Sequence, residues 1–172
     1  MSPTVIHADN RDALRDMADA SVDACVCDLS AGLAAEHLVC ADLLLSGYRA
    51  FLASQTCPYD VAVECGTRLI RVQVKSTRRL RLTPQRANPT TAYLFYTRRA
   101  GKGGKRTYAE SAFDMFALVA LDIRCIAYIP ARRNVLQTIQ LKPPGTPEST
   151  LRRLRRIDQY PFKSALEGVL DG

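Results

Sequence analysis

The most regular alternation of apolar and polar residues lies in residues 59–77. Valine or isoleucine occupies every second position on both sides of Gly66-Thr67. Two alternating runs joined by a two-residue turn are typical of a β-hairpin. With Gly66 and Thr67 as the turn, Val61 faces Val72 across the hairpin, and the register of all the other pairs follows from that one.

The two faces of this predicted hairpin differ in chemistry. One face is apolar and consists of Val61, Val63, Ile70, Val72 and Val74. The other face is predicted to be open to solvent and carries Asp60, Gln73 and Lys75. Asp60 and Gln73 face each other, so their Cβ atoms are expected about 4.5–5.5 Å apart. Carboxylate and amide oxygens suit Mg²⁺, and an ammonium group offsets charge on a phosphate. The same three residues also fit the solvated face of an ordinary hairpin.

A helix is predicted over residues 31–45, which are rich in alanine and leucine. Ser30 is its candidate N-cap, and Gly47 is placed to end it. Glu36 lies inside this segment and has apolar residues at its helical neighbours. A carboxylate near an inward face needs a partner or a metal ion, unless its head reaches water at the edge of the helix. Glu36 is therefore a further candidate metal ligand.

The remaining pattern predicts an α/β fold. Basic, proline-containing residues 78–91 are expected to form a loop. Further strands are predicted at 48–52, 92–98, 115–121 and 125–129, and further helices at 10–18, 149–157 and 162–170, with a short strand at 22–27. Together they predict a mixed β-sheet of about four or five strands with a leading helix and flanking helices.

Composition narrows the class of protein. The chain has 172 residues, of which 47% are hydrophobic and 24% charged, as in ordinary globular domains. No apolar run approaches the roughly 18 residues that span a bilayer, and the first residues do not resemble a signal peptide. The six cysteines form no CxxC pair and are expected to be reduced. We expect a soluble, cytoplasmic protein without a membrane partner.

Charge is distributed unevenly along the chain. Residues 1–66 hold 3 arginines and 10 acidic residues, whereas residues 67–172 hold 21 basic and 7 acidic residues. The net charges are therefore −7 and +14. Clustered basic residues favour a polyanionic partner, most simply DNA, although they also serve solubility. The expected phosphate-binding residues are Arg78, Arg79, Arg81, Arg98, Arg99, Lys102, Lys105 and Arg106.

The order of short motifs along residues 31–130 resembles the PD-(D/E)XK nuclease superfamily. These motifs are Ala35-Glu36, SGY at 46–48, PYD at 58–60 and QVKS at 73–76. The similarity extends to Holliday-junction-resolvase-like nucleases and, more closely, to group I intron homing endonucleases that carry QxK.

The resemblance implies a restriction-endonuclease-like core. It also implies a Mg²⁺-dependent DNA endonuclease, with Mn²⁺ as an alternative cation. It implies that Glu36, Asp60 and Gln73 bind the metal and that Lys75 assists catalysis. Gln73 stands where most of the family has an acidic residue, so one negative charge is missing. Cleavage of two strands further suggests a homodimer or tetramer. The alternative is a non-catalytic DNA-binding module on a decayed nuclease fold.

The N-terminal segment has a second resemblance. Residues 7–28 are similar to the part of DNA methyltransferases that precedes their DPPY motif, but the chain continues as Asp28-Leu29-Ser30. Without the Pro-Pro-aromatic sequence, methyl transfer is not expected. A chance acidic lead-in explains the same residues. We therefore expect an N-terminal appendage at 1–30, a nuclease core at 31–142 and a basic, helical C-terminal segment at 143–172.

Overall fold

The computed structural model describes residues 29–82, 91–98, 108–109, 112–131, 136–147 and 155–171. The predicted helix at 10–18 and strand at 22–27 lie outside these residues. The described elements are α1 (Leu29–Leu45), β1 (Arg49–Leu52), β2 (Val61–Cys65), β3 (Arg68–Thr77), β4 (Arg81–Leu82), β5 (Thr91–Tyr96), β6 (Met115–Ala120), β7 (Cys125–Pro130), β8 (Thr138–Leu141), a 3₁₀ helix (Ile157–Gln159) and α2 (Phe162–Leu170).

The main sheet is mixed, as the sequence predicts. Within the described residues it has five strands in the order β1-β2-β3-β6-β7. Strands β3 and β6 are parallel, and the other neighbours are antiparallel. Strands β4, β5 and β8 form a second, antiparallel sheet. The sequence pattern predicts β5 but neither β4, which lies inside the predicted loop 78–91, nor β8.

Strand β6 shows how the layers are arranged. All six of its residues are buried. Every second residue from Met115 onward belongs to the core beneath α1. Every second residue from Phe116 onward belongs to a second core, beneath β5 and β8. A strand covered on both faces reads as a continuous apolar run, which is why MFALVA shows no alternation.

Helix α1 packs on the main sheet through Ala35, Val39 and Leu43, which lie four residues apart and are fully buried. It ends in a Schellman motif: the N–H of Gly47 donates to the carbonyl of Leu44, and that of Tyr48 to Leu43. Gly47 has a φ of +86°, so its predicted role is confirmed. The predicted N-cap is wrong, because α1 already begins at Leu29.

The hairpin register is as predicted, with Val61 facing Val72 and Val63 facing Ile70. The prediction that its polar face is open to solvent is wrong for Gln73, which is only 8% exposed. Gln73 pairs with Phe116 of β6, and Phe116 belongs to the second core. The layer built on that core therefore covers this part of the sheet.

The C-terminal residues return to the main sheet. Phe162 of α2 packs edge-on against Tyr48 and Tyr128, with ring centroids 4.7 Å and 5.2 Å apart. The predicted helix 162–170 is confirmed. The predicted helix 149–157 is wrong where it is described, because Arg156 is extended and pairs with Lys142. No helix among the described residues is long and apolar enough to cross a membrane.

Candidate active site

Asp60 lies directly before β2, and its carboxylate turns toward β3. Its backbone N–H donates to the carbonyl of Val72 at 3.0 Å, which continues the hairpin ladder by one residue. Its Oδ2 accepts the N–H of Val74 at 2.7 Å and the side-chain amide of Gln73. Both hydrogen bonds that Asp60 accepts within the described residues end on Oδ2. Its Oδ1 accepts no hydrogen bond from the described residues.

The environment of Asp60 opposes its negative charge. Burial raises the pKa of Asp60 and outweighs the Val74 N–H, the positive charge of Lys75 and the Gln73 amide, which all lower it. A carboxylate with a raised pKa in such a place is typical of functional sites. The hydrogen bonds hold one oxygen in position while leaving the negative charge only partly compensated.

Glu36 belongs to the same group of side chains. It follows Ala35 on α1 and is half-buried at the flank of the apolar stripe. Burial raises its pKa, the negative charge of Asp60 raises it further, and His37 lowers it. The negative charge of Asp60 on the hairpin thus acts on Glu36 of α1.

Lys75 points to the same face of β3 as Gln73, two residues away. Its positive charge acts on Asp60. Its Nζ donates a hydrogen bond to the hydroxyl of Tyr108 at 2.7 Å and lies 5.1 Å from the centre of that ring. Sequence reasoning missed Tyr108, since it is 33 residues away and follows a segment without apolar periodicity.

A second interaction missed by sequence reasoning lies next to the site. The carboxylate of Asp114 accepts the backbone N–H of Arg71 at 2.7 Å and its guanidinium at 2.8 Å and 3.0 Å. Burial alone would raise the pKa of Asp114, but the Arg71 hydrogen bonds and charge lower it. Two-pronged arginine–carboxylate pairs have a well-defined geometry. This pair joins β3 to the residue that precedes β6.

The predicted phosphate-binding residues are only partly described. Arg78, Arg79 and Arg81 are exposed and follow Lys75 closely along the chain, and Arg98 is half-buried. Arg99, Lys102, Lys105 and Arg106 lie outside the described residues.

The arrangement can be compared with known proteins. A sequence profile described as PD-(D/E)XK endonuclease matches residues 29–163. The chain belongs to the PD-(D/E)XK endonuclease family. Its PYD motif lies directly before β2 and its QVK motif lies on β3, in the order of the family's motif. Searching the curated proteins gives no match.

The fold of this PD-(D/E)XK endonuclease is also found in a solved structure. The bacterial homing endonuclease I-Ssp6803I is similar with a TM-score of 0.59 and 18% sequence identity. The alignment covers 82% of this chain and 91% of that one. At this identity the comparison establishes the shared α/β fold.

The donor set of the site has two carboxylates and one amide. Among the described residues, no cluster of three or more histidine, cysteine, aspartate or glutamate side chains is arranged to hold a metal ion. Burial nevertheless raises the pKa of both Glu36 and Asp60, and the negative charge of Asp60 raises that of Glu36 further. Magnesium is often held by one or two carboxylates and several waters. These residues fit such a cation, which would relieve their repulsion.

Proposed function

We propose that this protein is a Mg²⁺-dependent DNA endonuclease that hydrolyses phosphodiester bonds. One observation carries the proposal: the carboxylate of Asp60 accepts the amide of Gln73 and the N–H of Val74, on the face of β3 that also carries Lys75, and its charge acts on Glu36 of α1. On a solvated hairpin face, burial would not raise the pKa of a carboxylate as it does for Asp60.

Glu36 and Asp60 are the proposed charged ligands, and Gln73 is the proposed neutral one. When bound, Mg²⁺, or Mn²⁺ in its place, would polarise a phosphoryl oxygen and lower the pKa of a coordinated water. Gln73 now directs its amide N–H₂ toward Asp60. Half a turn of the amide would present its carbonyl oxygen instead, without moving the strand.

Lys75 is the proposed catalytic cation. Its ammonium lies on the same face as Gln73 and close enough to act on Asp60. An ammonium in that position stabilises negative charge that develops on the phosphate during cleavage. Charge stabilisation of this kind acts on the chemical step more than on the binding of DNA.

The finer assignment is a homing endonuclease acting in the cytoplasm as a homodimer or tetramer. The QxK motif favours the homing class, as does the fold shared with a bacterial homing endonuclease. A single site cuts a single strand, so cleavage of both strands favours a pair of subunits. The exposed arginines that follow β3 are the proposed phosphate contacts.

Asp60→Asn tests the proposed function. Asparagine keeps an oxygen for the Val74 N–H but removes the charge, so the fold and the DNA affinity should remain. We expect the rate of supercoiled plasmid nicking in Mg²⁺ to fall by at least about 100-fold. Asp171→Asn, at the exposed end of α2, is the control and should nick like the parent.

Two outcomes would contradict the proposal. Nicking by Asp60→Asn at the parent's rate would remove Asp60 from the active site. DNA binding by the parent without nicking in either Mg²⁺ or Mn²⁺ would favour the non-catalytic DNA-binding module.

A further inference from the structure

The ammonium of Lys75 is held by one specific neighbour. Lysine has four rotatable side-chain bonds, and its charged end occupies many positions unless something fixes it. Here Nζ donates to the hydroxyl of Tyr108 at 2.7 Å and lies 5.1 Å from the centre of that ring. A hydrogen bond that involves a charged group is stronger than a neutral one.

The ring of Tyr108 is fixed independently of its hydroxyl. It packs edge-on against Phe113, with ring centroids 4.9 Å apart, and Phe113 packs in turn on Phe116 at 4.6 Å. Phe113 and Phe116 are buried in the second core. The hydroxyl is therefore presented to Lys75 by a rigid group of aromatic rings.

The segment that carries Tyr108 is also attached to β3. Asp114 binds Arg71 at one point of the strand, and Tyr108 binds Lys75 four residues further along. Alternation places Arg71, Gln73 and Lys75 on one face. On this face Gln73 lies between two residues of β3 that each have a polar partner, Asp114 for Arg71 and Tyr108 for Lys75.

We propose that Tyr108 is a positioning residue for Lys75, and this inference rests on the proposed function. Tyr108 holds the ammonium beside Asp60 before DNA arrives, so that little reorganisation is needed during cleavage. Preorganised charges stabilise a transition state more effectively than mobile ones. The contribution of Tyr108 is therefore to the rate of the chemical step and not to the binding of DNA.

Tyr108→Phe removes the hydroxyl and keeps the ring that packs on Phe113. Tyr93→Phe is the matched control. Its hydroxyl donates to Asp122 at 3.0 Å, and its ring belongs to the same core. Both variants lose one tyrosine hydroxyl and one hydrogen bond to a charged side chain, but only Tyr108→Phe affects Lys75.

The first measurement is independent of nuclease activity. In protein labelled with ¹⁵N-lysine, we expect the hydrogen-bonded ammonium of Lys75 to give an NMR signal that exchanges slowly with water. Lys75→Ala assigns that signal. It should be lost or broadened in Tyr108→Phe and remain in Tyr93→Phe. An unchanged Lys75 signal in Tyr108→Phe would overturn the proposal.

The second measurement is single-turnover cleavage of DNA in Mg²⁺, with the Kd for DNA measured in Ca²⁺. We expect Tyr108→Phe to lower the cleavage rate by about 10-fold, the value of one charged hydrogen bond, with unchanged Kd. Tyr93→Phe should match the parent in both. A rate for Tyr108→Phe equal to or above the parent's would overturn the proposal, since Tyr108 would then merely sequester Lys75. If the NMR effect is present but the parent cleaves nothing, the proposed nuclease function fails while the contact stands.

Discussion

Gln73 is the residue at which this site departs from the usual motif of its family. It is nearly buried and donates its amide to Asp60. An acidic residue here would place a second carboxylate against Oδ2 of Asp60, where a donor now lies. The amide therefore stabilises the metal-free site, while it contributes no negative charge to the binding of a cation.

Gln73→Glu should make the stability of the protein depend on Mg²⁺. Like charges directly opposed across a hairpin are destabilising, so without metal the variant should melt roughly 1–4 °C below the parent. Saturating Mg²⁺ should recover that loss, because a ligand that binds the folded state stabilises it. Calorimetry with and without Mg²⁺ measures both effects. Gln140→Glu, an exposed position on β8, carries the same change in charge and should show neither.

A melting temperature that Mg²⁺ leaves unchanged in both the parent and Gln73→Glu would contradict the proposed metal site. That result would stand even if the variant were less stable, because destabilisation alone follows from the two carboxylates.

The sequence predicted the relative positions of side chains that depend only on the register of the hairpin. One two-residue turn places Asp60 opposite Gln73, and the strand period then places Lys75. The strand register could not predict the contact of Tyr108 with Lys75, since Tyr108 is 33 residues away along the chain and lies outside the hairpin. The burial of Gln73 was missed for the same reason: the residues that cover it come from β6 and from the layer beyond.

Asp114 joins two elements, because its carboxylate binds Arg71 of β3 and its chain leads into β6. Asp114→Asn should destabilise the protein at pH 7 by roughly 2 kcal/mol through loss of the charged hydrogen bonds. The pKa of Asp114 is lowered in the folded state. Its contribution is therefore present above the ordinary aspartate pKa of 3.8 and is lost as the pH falls through the lowered value.

Urea denaturation at pH 7 and at pH 3 measures this dependence. The difference between the parent and Asp114→Asn should shrink at the lower pH. Asp171→Asn, at an exposed position, should differ little from the parent at either. A destabilisation of equal size at both pH values would mean that Asp114 acts through packing and not through its charge.

Helix α1 carries Glu36, so the end of this helix matters for the site. Gly47 terminates α1 at a φ of +86°, and a Cβ there would meet no atom within 4 Å. The cost of Gly47→Ala is then conformational, about 1–2 kcal/mol for an L-residue in the left-handed region. Gly32→Ala, within the same helix and equally free of contacts, should instead stabilise by about 0.5–1 kcal/mol.

If the Schellman motif ends α1, the urea midpoint should be lower than the parent's in Gly47→Ala and higher than the parent's in Gly32→Ala. Equal effects of Gly47→Ala and Gly32→Ala would contradict that explanation. The sequence predicted the glycine that ends α1. It placed the start of α1 slightly too late, because serine at position 30 favours an N-cap and helix ends are the least certain part of such a prediction.

For the whole molecule, the sequence predicted the α/β class and the mixed sheet, since β6 and β7 are strongly apolar and the hairpin is regular. It did not predict the second sheet. Strand β4 has two residues and β8 has four. These strands are too short for an alternation of apolar and polar residues to be recognised. Arg156 is extended where a helix was expected, because pairing with Lys142 overrides a local preference.

The uneven charge of the molecule favours DNA binding by the exposed arginines after β3. Arg79→Ala should weaken binding to every DNA sequence and lower the slope of log K against log salt by about 0.9. Lys163→Ala is the matched control, since it removes one positive charge from an exposed position on α2. Binding isotherms at several salt concentrations compare the two variants, and Arg78→Ala and Arg81→Ala extend the series. A salt slope equal to the parent's in all three arginine variants would mean that these residues serve solubility alone, and the DNA contacts would then lie elsewhere on the basic part of the chain.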